Sequence, residues 1–134
     1  MTSSKKIIKI CRVYEPPGSR DGLWFLVDRL WPHGLKKDAL PFDAWLKEIA
    51  PSPELRKWFH HDPDKWLDFA SRYIDELQDK PELIEDVLKK ADSSEIVLFY
   101  AAKDKQYNHA QILKAVLESW PKSPGFTEPG SSHQ

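Results

Sequence analysis

Two adjacent pairs of opposite charge are the residues best placed to do chemistry. Asp28-Arg29 directly follows the apolar run Leu23–Val27, and Lys103-Asp104 directly follows Glu95–Ala102. An arginine and a lysine can hold an anion through charge-assisted hydrogen bonds. Asp28 and Asp104, beside them, can orient the cations or accept a proton, which makes them the candidate catalytic groups. Asn108 and His109 open the last helical stretch. The first backbone N–H groups of a helix have no partner within it and favour negative charge. If the two apolar runs are parallel strands, these groups meet at one sheet edge, where open α/β sheets hold ligands. The plainer alternative is that each pair is an ion pair closing a strand end.

Other reactive side chains point to less. His60 and His61 are adjacent, and neighbours on a helix diverge by about 100°, so they make poor co-ligands. They are expected in the last turn of their helix, where an imidazolium is favourable. His33 and His109 stand elsewhere, and Cys11 is the single cysteine. No spacing matches a zinc pattern, so no metal is expected. Cys11 sits in an expected strand and reads as a structural thiol. The Trp31-Pro32-His33-Gly34 turn is either a ligand wall or a core plug. With only five glycines there is no phosphate-cradling glycine loop, and no cofactor is expected.

These residues need strands and helices to place them. Ile7–Tyr14 is rich in β-branched residues and reads as a strand, as do Leu23–Val27 and Glu95–Ala102. Pro16, Pro17, Gly18 and Gly22 make Glu15–Gly22 a loop. Asp43 is expected to cap a short helix carrying Trp45, Leu46 and Ile49. Ser52-Pro53 and Asp62-Pro63 are helix starts, and Pro81 opens another. Trp66, Phe69, Ala70, Tyr73, Ile74 and Leu77 recur with the clearest helical period. A final helix carries Ala110, Leu113, Val116, Leu117 and Trp120. The fold class is therefore α/β, a small, mostly parallel sheet covered by helices. The Glu15–Gly22 link is short for a parallel crossover, so an antiparallel first strand is the mixed alternative.

The chain has 134 residues, of which 40% are hydrophobic and 31% charged, with net charge −1. That balance suits one globular domain, expected over residues 7–120, with residues 1–6 and 121–134 as disordered tails. Near-zero charge gives no general pull towards nucleic acid or anionic membrane. No signal peptide and no membrane-spanning run is evident, so a cytoplasmic location is expected.

Arg12-Val-Tyr14-Glu-Pro-Pro, Val27-Asp-Arg-Leu-Trp-Pro-His-Gly34, Trp45-Leu-Lys-Glu-Ile-Ala-Pro-Ser52, Leu55-Arg-Lys-Trp-Phe59, His61-Asp-Pro63 and Tyr100-Ala-Ala-Lys-Asp104 follow one another in order. On these motifs the chain resembles the YeaO-like branch of the domain-of-unknown-function family 488, a bacterial family. The resemblance runs from Ile7 to Trp120. It implies a small α/β fold and a prokaryotic cytoplasmic origin, and brings no activity with it. The matching polar and aromatic positions are Arg12, Asp28, Arg29, Trp31, Lys103, Asp104 and Asn108. Two departures stand out: the family usually has arginine at His33 and His-Asn at Tyr107-Asn108. More distant relatives carry a cysteine near Tyr100 and a Cys-His-Arg element near the last helix, both absent here, so a cysteine mechanism does not carry over.

The leading expectation is a site for a small anionic ligand, nucleotide-like or sugar-phosphate-like. Arg29 and Lys103 would hold the anion, Asp28 would orient Arg29 or act as a base, and Arg12, Trp31 and Asn108 would complete the pocket. The alternative is a nucleic-acid or protein interaction module using the aromatic and basic helices of residues 52–72.

Overall fold

The computed structural model describes residues 7–20, 22–92 and 95–124. The expected tails at 1–6 and 125–134 lie outside the described residues. In chain order the elements are β1 (Ile8–Arg12), β2 (Leu23–Leu26), β3 (Ala44–Trp45), α1 (Pro53–Phe59), α2 (Trp66–Gln78), α3 (Pro81–Ala91), β4 (Ile96–Tyr100) and α4 (His109–Ser119). Short 3-10 turns at Lys47–Ile49 and Pro63–Lys65 precede α1 and α2.

The sheet has the order β1-β4-β2-β3 and every pairing is parallel. All five residues of β4 are buried, as a central parallel strand covered on both faces must be. Its partners are in register at Ile8 opposite Ile96 and at Leu26 opposite Phe99. The antiparallel alternative for the first strand is thus corrected. β1 and β2 are not neighbours but flank β4, so the link between them crosses one strand rather than joining an adjacent pair. Ten extended residues reach about 33 Å, ample to return along a strand of about 17 Å without a helix. The crossing is pinned at both ends. Val13 N–H donates to the Tyr100 carbonyl (2.8 Å) and Leu23 N–H to the Glu95 carbonyl (2.8 Å). Gly22 must be glycine there: its φ is +73°, and a Cβ would lie 2.2 Å from the Glu95 oxygen.

The expected helix at Asp43 is also corrected. The Asp43 carboxylate accepts the Trp24 N–H (2.8 Å) instead of a helical one, and Asp43 N–H donates to the Trp24 carbonyl (2.7 Å). Asp43 is thereby laid against β2. Ala44–Trp45 becomes the edge strand, and helical turn survives only at Lys47–Ile49. The other start signals work as read. Ser52 Oγ accepts the Leu55 N–H (3.1 Å), and Asn108 Oδ1 accepts the Gln111 N–H (3.2 Å). Glu76 of α2 takes both the Ser52 N–H (2.9 Å) and its hydroxyl (2.6 Å), fixing the start of α1 against α2.

Alternation along the strands divides the core in two. Phe25, Val27, Leu98 and Tyr100 face one side and pack with Trp66, Phe69, Tyr73, Ile84 and Leu113 of the helices. Trp24, Leu26, Val97 and Phe99 face the other side. Among the described residues no helix covers that face. Side chains of the 28–43 connection do so instead: Trp31, Leu35, Leu40 and Phe42. Among the described residues no helix is long and apolar enough to cross a membrane.

Candidate functional site

Because β2 and β4 are parallel neighbours, their C-terminal ends open on one edge. Val27 N–H still donates to the Phe99 carbonyl (3.0 Å), and the Asp28 carboxylate prolongs the ladder by accepting the Ala101 N–H through Oδ2 (3.0 Å). Its other oxygen, Oδ1, is buried without a hydrogen-bond partner, 3.4 Å from Nε2 of His109. Burial pushes the Asp28 carboxyl above its ordinary value, while His109, the Ala101 N–H and Arg56 pull the other way. His109, first residue of α4, donates Nε2–H to the Val27 carbonyl (2.8 Å). A carbonyl oxygen only accepts, so the hydrogen must sit on Nε2.

Arg29 does not pair with Asp28. Its guanidinium turns to the chain before α1, donating to the carbonyls of Pro51 (3.3 Å) and Ala50 (3.2 Å), with Glu48 at 3.8 Å. Asp104 is committed to its own loop, with Oδ1 accepting the N–H groups of Gln106 and Tyr107, both at 2.9 Å. Asn108 is buried and also committed: it caps α4 through Oδ1 and donates Nδ2–H to the Asp104 carbonyl (2.9 Å). Lys103 is exposed and has no carboxylate partner among the described residues.

Asp28, Arg29, Lys103 and Asp104 all line one lobe of a cleft, of about 570 Å³, with Tyr14 and His33 at its side. A second lobe of about 490 Å³ is lined by Lys57, His60, Tyr107 and Asn108. Arg56, His61 and His109 line both lobes, so they stand at the centre of the cleft. Two of the sequence candidates lie outside it. Arg12 donates Nε–H to the Ala102 carbonyl (3.0 Å) and lies over the Tyr14 ring at 4.8 Å, bracing the wall from behind. Trp31 belongs to the loop-covered face, where it packs on Phe42 and Trp45 and donates Nε1–H to the Leu35 carbonyl (2.6 Å).

Sequence reasoning missed Arg56 and His61 as cleft residues and placed His109 there only as a helix start. Arg56 left only a weak trace: it adjoins Leu55, which with Phe59 four residues on marks the buried side of α1. His61 gave none. The histidine pair is not in a last helical turn: α1 ends at Phe59, and His60 and His61 both adopt positive φ (45° and 55°). That double left-handed step lets Asp62 cap the next turn and brings the His61 ring near that of Phe59, at 6.1 Å. Cys11 lies away from the cleft, half-buried in β1, its thiol donating to the Glu15 carbonyl (3.3 Å) and pushed up in pKa by burial and by Glu15. Among the described residues no three His, Cys, Asp or Glu side chains gather as a metal cage.

Residues 7–132 match the model of a family described as "Inactive DUF488-N3 subclade". The protein YeaO of Escherichia coli K12 is 42% identical over 115 residues, 84% of this chain and 97% of that protein. The protein Rv3073c of Mycobacterium tuberculosis H37Rv is 41% identical over 110 residues, 82% of this chain and 92% of that protein. Both are named as uncharacterized proteins. No solved structure matches. The resemblance read from the motifs is borne out.

Proposed function

The chain belongs to the inactive DUF488-N3 subclade, and from that premise we propose that its cleft binds a small anionic ligand of nucleotide or sugar-phosphate type without turning it over. The observation that carries this reading is the state of the cations. Arg12, Arg20, Arg29 and Lys105 each have a carboxylate within 4.0 Å. Arg56 and Lys103, which line the cleft, have none among the described residues. Asp28 reaches Arg56 only through longer-range charge, so an arriving anion meets two cations without a close carboxylate.

The two acids supply structure rather than proton transfer in this reading. Asp104 orders the turn before α4, and Asp28 ties the end of β2 to that of β4. Arg29 sets the cleft wall instead of the ligand. The family's description as inactive supports binding without catalysis.

Titration calorimetry with adenosine monophosphate tests the reading. Arg56→Ala and Lys103→Ala should each weaken binding by about 1.5–3 kcal/mol, roughly tenfold or more, the worth of a charge-assisted hydrogen bond. Added salt should weaken it further. Unchanged affinity in both variants would sink the proposal.

A second reading has one observation behind it. On the 52–72 helices the Trp58 ring is flanked by Arg72 at 4.5 Å and Lys65 at 5.0 Å. An aromatic ring with two cations against it suits a base and its backbone phosphate. A single-stranded oligonucleotide whose binding is lost in Trp58→Ala and kept in Lys103→Ala would favour it over the cleft.

A further inference from the structure

His109 holds a combination that the anion reading leaves unused. Its Nε2–H is donated to the Val27 carbonyl (2.8 Å), and Asp28 Oδ1 lies 3.4 Å from the same nitrogen. A carbonyl and a carboxylate both stabilise a hydrogen on Nε2. In the neutral ring the other nitrogen, Nδ1, then carries a lone pair. Nδ1 has no hydrogen-bond partner among the described residues and, unlike Asp28 Oδ1, is not a buried atom. The ring lines both lobes, and Nδ1 is its nitrogen left unpaired among the described residues. The Tyr73 ring meets the imidazole edge-to-face at 6.1 Å and limits its rotation.

We propose that His109 is the residue by which the cleft tells a hydroxylated phosphate from a bare one, its Nδ1 accepting a hydrogen bond from a ligand hydroxyl. The inference rests on the anion reading and narrows it. Arg56 and Lys103 hold the phosphate, and His109 reads the sugar. Asp28 and the Val27 carbonyl are positioning groups: they fix which ring nitrogen faces the ligand and do not touch it. A ligand without a hydroxyl leaves Nδ1 to water and gains nothing from it. A site built to pair a hydroxyl discriminates strongly against an analogue that lacks one.

Two measurements on the whole chain, at pH 8, test this. Long-range proton–nitrogen NMR of the histidines should show a hydrogen on Nε2 of His109 and a bare Nδ1, and the Nδ1 resonance should move on adding ribose 5-phosphate but not inorganic phosphate. Calorimetry should show ribose 5-phosphate binding about tenfold tighter than inorganic phosphate. His109→Phe keeps a ring for the Tyr73 contact and, with its folding checked by circular dichroism, should bring the ratio of the two affinities to one. A hydrogen on Nδ1, equal affinity for the two probes, or a preference that survives in His109→Phe would overturn the inference. If the probes bind equally and Arg56→Ala weakens both, the anion site stands and only the role of His109 falls. If neither probe binds, both readings fall together.

Discussion

The two faces of this sheet solve the same problem by different means. On one, Phe25, Val27, Leu98 and Tyr100 are roofed by helices whose buried residues recur at helical spacing. On the other, Trp24, Leu26, Val97 and Phe99 are roofed by the 28–43 connection, where the Trp31 and Phe42 rings share the covering with Leu35 and Leu40. Trp24 and Phe42 pack on Phe99 with centroids at 4.7 and 5.3 Å, and Trp31 packs on Phe42 at 5.9 Å. A helix satisfies its own backbone, so it can lie over apolar strands at little polar cost. A connection must close its hydrogen bonds piecemeal, as Leu35 N–H to the Pro32 carbonyl and Ala39 N–H to the Lys36 carbonyl do. Large rings let few residues cover much area. The cleft belongs to the helical face, where α1 and α4 bring their side chains and ends to the sheet edge.

The largest expected effect is on the helical face. Phe25→Ala removes a fully buried ring with helices fixed around it, and should cost about 3–5 kcal/mol. Urea denaturation followed by circular dichroism measures it. Next is the hinge that serves both faces: Gly22→Ala drives a Cβ into the Glu95 backbone at a positive φ and should cost about 2–4 kcal/mol by the same measurement. A loop roof holding a half-exposed ring should yield less, so Phe42→Ala is expected to cost about 1–2 kcal/mol. A Phe42→Ala loss equal to that of Phe25→Ala would mean the two roofs are equally rigid.

The same contrast explains what the sequence could show. The helical period from Trp66 to Leu77 and the apolar runs of β2 and β4 were legible because each is a local pattern. The strand order was not, because the 13–22 link spans a neighbour that arrives some seventy residues later. Nor was the edge strand, because Asp43 has two uses for its carboxylate and only the position of Trp24 decides between them. The meeting of Asp28, Arg29, Lys103 and Asp104 followed from chain direction alone. Their bonding did not. Asp28 and Arg29, adjacent in sequence, turn to Ala101 and to Ala50 and Pro51, partners supplied by other segments.

The smallest effect expected is a pH dependence at the edge where the helical face meets the cleft. Asp28 is buried with one oxygen unpaired, and burial raises its carboxyl above the ordinary aspartate value of 3.8 against the opposing pull of His109, the Ala101 N–H and Arg56. A raised value in the fold means that the folded state binds the proton more readily than the unfolded one. The stability this contributes is fully present below the unfolded value and is lost as pH rises through the folded one. Asn at this position keeps an oxygen for the Ala101 N–H but does not titrate. The wild-type chain should therefore lose stability relative to Asp28→Asn as pH climbs from about 4 towards neutrality. Paired urea titrations across that range give the difference directly. The opposite slope, wild type gaining on the variant as pH rises, would show that His109 and Arg56 outweigh burial. Asp28 would then be held as an ion by the cleft rather than merely tolerated there.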